Sequence, residues 1–192
     1  MSLADTDDPI LDAARATVLD FGMRRMTVSE VARRAGVSRM TVYRRYPDGE
    51  SLLRAVMARE FVATIDLGEA AADGAEDPLD AFVTQVTAGV ALLLEHPVLL
   101  RLLEVDIELL LPYFTADLGR FQQVAIARMT ELIAHGQQTG AMRAGDPATM
   151  ATTIELWLRG PVLAARTLDA ERRQVVVAEA RRMLRAYLGP ER

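Results

Sequence analysis

From Ile10 onward, apolar side chains return every three or four residues through nearly the whole chain, and no stretch shows the period-two alternation of a half-buried strand. The pattern predicts an all-α protein. Leu11, Ala14, Val18 and Phe21 form the stripe of a first helix that stops at Gly22, a residue that takes positive φ freely. Thr27 and Glu30 have the spacing of a capping box, in which the hydroxyl and the carboxylate each satisfy an orphan amide; the second helix they open runs to about Ala35 and ends at Gly36. Ser38 caps a short third helix to about Tyr46, stopped by Pro47. Asp48 opens a fourth, with Leu52, Leu53, Val56, Met57 and Phe61 as its stripe. The acidic, Gly- and Ala-containing stretch 68–77 reads as a loop, and Asp77-Pro78 is a cap followed by proline at the first helical position. Further helices are predicted over about 78–95, 97–110, 112–135, 147–166 and 169–188, with a glycine-containing turn at 136–146.

Composition narrows the classes. The greasiest stretches, 88–94 and 98–111, are broken by Glu95, Pro97, Arg101, Glu104, Asp106 and Glu108, so no membrane span is expected. The acidic start of the chain lacks the basic-then-apolar order of an export signal, and a cytoplasmic protein is expected. With no cysteine, disulfides, thiol nucleophiles and Cys-ligated zinc are excluded. The net charge of -5 is unevenly spread: the first 23 residues carry -4, Arg24 to Arg59 carry +6, and residues 60–192 carry -7. All 22 basic residues are arginine, which fits a GC-rich genome better than a functional demand.

The basic segment coincides with a helix-turn-helix spacing. Two helices crossing over a short turn need a small residue where the backbones approach, a residue tolerant of positive φ, and an apolar anchor on the second helix. Ala32, Gly36 and Val42 stand at those places, with Val28, Val31, Val37 and Tyr46 as further apolar groups. The face left outward on the third helix carries Ser38, Arg39, Met40, Thr41, Tyr43, Arg44 and Arg45. Such units set the start of the second helix against base edges while flanking groups hold phosphates. Arg39 suits guanine O6 and N7, and Met40 a thymine methyl. Thr27, Ser38, Thr41, Tyr43, Arg44 and Arg45 suit phosphate.

The run from Thr27 to Leu52, with its Ala35-Gly36-Val37-Ser38 turn, Thr41-x-Tyr43 in the recognition helix and Tyr46-Pro47 exit, resembles the N-terminal signature of the TetR (tetracycline repressor) family, over roughly Ile10 to Arg59. The resemblance implies a helix-turn-helix DNA-binding domain over 1–47, and a helical domain over 48–192, joined by the fourth helix, that binds a small ligand and dimerises. It implies a homodimer on a palindromic double-stranded DNA operator, repressing until a small, largely apolar effector releases it. Members often carry a basic, phosphate-binding residue at the start of the fourth helix; Gly49 stands there, and Arg44 and Arg45 are the replacements at hand.

In the C-terminal region, Phe82, Val86, Leu103, Ile107, Phe114, Phe121, Met129 and Trp157 are candidate pocket residues, with Asp106, Glu108, Glu155, His96 and His135 as groups to orient a ligand. The last two helices, with Trp157, Leu163, Val176, Ala180, Met183, Leu184 and Tyr187, are candidates for a dimer face. No HExxH, G-x-G-x-x-G or P-loop occurs, so no catalytic residue, metal or cofactor is assigned and the chain reads as no enzyme. The alternatives are a helical protein-interaction module and, more remotely, an all-helical enzyme.

Overall fold

A computed structural model describes residues 8–115 and 119–190. Among the described residues there are helices and turns only: α1 (Pro9–Phe21), α2 (Val28–Ala35), α3 (Arg39–Arg45), α4 (Gly49–Ala71), α5 (Pro78–Leu94), α6 (Pro97–Val105), α7 (Ile107–Thr115), α8 (Arg120–Gln138), α9 (Pro147–Leu163), a 3₁₀ turn (Ala165–Thr167) and α10 (Ala170–Leu188). The all-α expectation is met. No single helix among these residues is long and apolar enough to cross a membrane.

Side chains at their first turns fix most of the starts. Asp77, Asp146 and Asp169 accept amides of the first turns of α5, α9 and α10, Asp146 from Thr149 N–H at 2.7 Å and Asp169 from Arg172 N–H at 2.8 Å. At α4 the box is reciprocal: Asp48 accepts the Ser51 N–H at 2.7 Å while Ser51 Oγ accepts the Asp48 N–H at 3.2 Å. At α2 only half of the predicted box forms. Thr27 Oγ1 accepts the Glu30 N–H at 3.2 Å, but the Glu30 carboxylate turns to Arg33 and Arg34, because two charge-assisted bonds outcompete one amide.

Three boundaries depart from the sequence pattern. Helix α4 runs on to Ala71, through residues predicted as loop. Gly68 does not break it; an added Cβ there would lie 2.6 Å from the Gln85 carbonyl, so glycine serves a close passage beside α5. The predicted helix over 97–110 breaks at Asp106, and Pro112 falls inside α7 instead of opening a helix.

The chain divides into two compact units: one takes in Met1–Phe61 with His96–Asp117, the other Val62–Glu95 with Leu118–Arg192. In the first, Ile10, Ala14, Val18, Val31, Val42, Leu52, Leu53, Val56, Val98, Leu99 and Leu102 are buried. Each large aliphatic chain among them contributes roughly 1.5–3 kcal/mol. In the second, α8 packs on α9 and α5 on α10 around Phe82, Leu94, Ile133, Ile154, Leu184 and Leu188. Phe21 is the exception to its stripe: it is exposed, with the Arg34 guanidinium over its ring at 5.3 Å.

Two turn glycines differ in what surrounds them. Gly22 (φ 76°, ψ 173°) lies in a region open essentially to glycine alone, and a Cβ would meet Asp106 Oδ2 at 2.7 Å and Val105 Cγ2 at 2.8 Å. Gly36 (φ 68°, ψ 25°) is left-handed with nothing within 4 Å. Gly36→Ala is therefore expected to cost about 1–2 kcal/mol, and Gly22→Ala about 3 kcal/mol or more, strain and clash together. Urea unfolding midpoints measure the difference; equal costs would remove Asp106 as a steric partner of the turn.

Candidate DNA-binding site

The turn between α2 and α3 is built as the spacing predicts. Gly36 N–H reaches the Arg33 carbonyl at 3.4 Å and Val37 N–H the Ala32 carbonyl at 3.0 Å, the two bonds that close a helix through a left-handed glycine. Ser38 then caps α3, its Oγ accepting the Thr41 N–H at 3.0 Å and lying 2.8 Å from Thr41 Oγ1. Val42 alone of the residues of α3 is buried. That single anchor leaves the rest of the helix outward: Arg39 and Arg44 are exposed, Met40 is 74% and Tyr43 48% exposed, and Thr41 is half-buried beside Ser38. Thr27 is exposed; its oxygen accepts an amide, and its hydroxyl proton remains able to donate.

The arginines of the basic segment are apportioned by their partners. Arg33 and Arg34 share Glu30, and Arg34 also reaches Asp20 at 2.7 Å. Arg54 pairs with Glu50, Arg59 with Asp12 and Glu60, Arg24 with Asp106 and Glu108, and Arg45 with Asp8. Among the described residues Arg25, Arg39 and Arg44 are exposed and have no ion pair. A nominal charge of +6 thus comes down to three uncommitted guanidiniums, two of them on α3. Sequence reading singled out Arg39 and Arg44 but not Arg25, in the turn before Thr27; its distinguishing feature, the lack of a nearby acid, exists only in the fold.

Two buried carboxylates frame α1. Asp106 is 2% exposed, accepts the Met23 N–H at 2.6 Å and lies 3.6 Å from Arg24 Nε. Asp8, before Pro9, is 1% exposed and accepts the Ile10 N–H and the Tyr46 hydroxyl, each at 2.9 Å. Burial, with the hydrogen bond to Asp8, pushes the Tyr46 phenol up to about 12. The Asp8-Pro9 pair is the same cap-and-proline signature as Asp77-Pro78 and was readable in the sequence.

The groups put forward to orient a ligand are largely engaged inside the chain. Asp106 holds Met23, Glu108 holds Arg24 at 2.8 Å, and Glu155 is gripped in two places by Arg159. His96 packs edge-on against Phe61, and burial lowers its pKa. Of the pocket candidates, Phe82, Leu103 and Met129 are buried, Val86 and Phe121 half-buried, and Ile107 and Trp157 exposed. Leu103 and Ile107 belong to the first unit, and Phe82, Val86, Phe121, Met129 and Trp157 to the second. The Phe114 side chain lies outside the described residues. Of the dimer candidates, Ala180 and Leu184 are buried within the chain, Leu163, Val176 and Tyr187 are half-buried, and Met183 is exposed, as are Leu156 and Val175 nearby on the same two helices.

A short helix held by one apolar anchor, closed onto its predecessor through a left-handed glycine and presenting unpaired guanidiniums outward, defines a helix-turn-helix DNA-binding protein. Residues 10–56 match the family described as bacterial regulatory proteins, tetR family. An uncharacterised HTH-type transcriptional regulator of Mycobacterium bovis is 36% identical over 167 residues, covering 87% of this chain and 85% of its own length. A TetR-family regulator of Pectobacterium atrosepticum shares the fold with a TM-score of 0.70 at 20% identity, over 96% of this chain and 92% of that one. RolR, solved in complex with resorcinol, does so at 0.62 and 20% identity, over 91% and 85%. The chain belongs to the TetR family and is a DNA-binding transcriptional regulator.

Arg33 and Arg34 hold the Glu30 carboxyl down to about 2 from an ordinary 4.5. A folded-state value below the unfolded one gives stability that is present above about 4.5 and lost as pH falls toward 2. Thermal melts at stepped pH are expected to show a flatter decline across that window for Glu30→Gln than for the unchanged protein; parallel declines would show that Glu30 contributes nothing to it.

Proposed function

We propose that α3 enters the major groove of double-stranded DNA with Arg39 and Met40 against base edges, while Thr27, Ser38, Thr41, Tyr43 and Arg44 hold phosphates. The observation that carries this reading is the pairing pattern: acids neutralise six of the nine arginines between Arg24 and Arg59, and the two left uncommitted on a helix both face outward on α3. A protein using this segment only for internal packing has no need of them, which disfavours an interaction module. Gly49 gives α4 no basic side chain at its start, and Arg44 supplies that charge from α3.

The reading extends to a homodimer. Residues 48–192 serve assembly and effector binding and 1–47 serve DNA. Two copies pair through α9 and α10, with Met183, Val176, Leu163 and Tyr187 toward the partner and Ala180 and Leu184 as the packing beneath. Their two α3 helices then meet successive major grooves of a palindromic operator, about 34–36 Å apart. A small, largely apolar effector, held among residues such as Phe82, Val86, Phe121 and Met129, favours one dimer conformation over the other and so releases the operator. RolR, which holds resorcinol on this fold, supports a small molecule as the effector class.

Fluorescence anisotropy with a duplex selected by the protein from a random pool tests the contacts. Arg39→Ala is expected to relax base preference at one position per half-site, losing about 1–3 kcal/mol there. Tyr43→Phe weakens all duplexes alike. Arg44→Ala lowers the salt slope by about 0.9 per half-site, whereas Arg33→Ala leaves it unchanged. Unaltered binding in both Arg39→Ala and Arg44→Ala would sink the assignment of α3 as the reader.

A further inference from the structure

Arg44 and Arg45 are neighbours on the last turn of α3, yet they are committed differently. Arg44 is exposed and without an ion pair among the described residues. Arg45 reaches back to Asp8: Nη2 lies 3.0 Å from Oδ2 and Nη1 3.4 Å from Oδ1. This is the forked arrangement in which a guanidinium holds a carboxylate most firmly. The carboxylate is 1% exposed, so water competes poorly for it. The same two oxygens also accept the Ile10 N–H at the start of α1 and the hydroxyl of Tyr46, the residue that ends α3. One side chain therefore starts α1, holds the exit of α3 and occupies a guanidinium of the basic segment. A cation on the reading helix attracts every duplex regardless of sequence, because phosphates carry no base information. Withdrawing one lowers the sequence-blind part of the affinity and its salt dependence.

We infer that Asp8 is a positioning residue, keeping Arg45 off the DNA backbone and tying the end of α3 to the start of α1. The inference rests on the reading of α3 as the reader. Asn at position 8 keeps the oxygen that caps α1 and removes the Asp8 charge from that guanidinium.

The test is made on the full chain with two duplexes, one of random sequence and one selected by the unchanged protein from a random pool, across a range of salt. Arg45→Gln is expected to leave both salt slopes unchanged, since that guanidinium is already engaged. Asp8→Asn is expected to steepen the slopes of both duplexes by about 0.9 per reading unit. The double variant Asp8→Asn/Arg45→Gln returns the slope to that of the unchanged protein, a rescue that a merely structural role for Asp8 does not produce. A slope that falls by about 0.9 in Arg45→Gln places Arg45 on phosphate and overturns the inference, and this variant decides the matter even if Asp8→Asn fails to fold. An unchanged slope in a folded Asp8→Asn protein overturns it equally. If the unchanged protein binds neither duplex, α3 is not a reader and both conclusions fall, a result distinct from any difference among variants.

Discussion

Helix α1 is held at both ends by carboxylates that the fold has taken out of water, and the geometry of the reading unit follows from that. A buried carboxylate costs several kcal/mol unless donors replace its hydration. The donors found are backbone amides and side chains at the joints of the unit: Ile10 and Tyr46 at one end, Met23 at the other. Because Gly22 leaves no space for a Cβ, the carboxylate of Asp106 approaches the turn between α1 and α2 closely enough to accept its amide. Between these joints the apolar stripe of α1, with Ala14 and Val18 fully buried, supplies the non-directional part of the stability. The stripe attracts; the carboxylates set where the attraction comes to rest.

The same economy governs charge. Exposed ion pairs such as Arg33 with Glu30 contribute little to stability, because water and salt screen them. Their larger effect is on what the surface presents. Pairing removes α2 and the start of α4 as sequence-blind attractors of phosphate and leaves the positive charge concentrated on Arg25, Arg39 and Arg44. An acidic chain thereby presents its unpaired guanidiniums, among the described residues 24–59, on three exposed positions, two of them on α3.

What the sequence made readable is what is determined locally. The caps of Asp48 and Asp77, the left-handed Gly36 and the apolar stripe of α4 each depend on residues close in the chain and appear as read, and the caps of Asp146 and Asp169 are of the same local kind. The misplaced boundaries depend on partners distant in the chain. The break at Asp106 follows a backbone amide 83 residues away, the persistence of α4 through Gly68 follows the Gln85 carbonyl, and the exposure of Phe21 goes with a guanidinium on α2. The site shows the same division. The outward residues of α3 follow from one anchor, Val42, whereas the commitment of Arg45 and the availability of Arg25 depend on where acids lie after folding.

The compact unit that carries the helix-turn-helix is also discontinuous: its first stretch ends at Phe61 and its second begins at His96, with residues 62–95 belonging to the other unit. During synthesis, which proceeds from the N-terminus, α1 to α3 emerge with their caps and their glycine turn ready, since those interactions are local. Asp106 does not exist until a further stretch of chain has been made. The Met23 amide in the turn between α1 and α2 therefore gains its carboxylate partner only after α6 has been made.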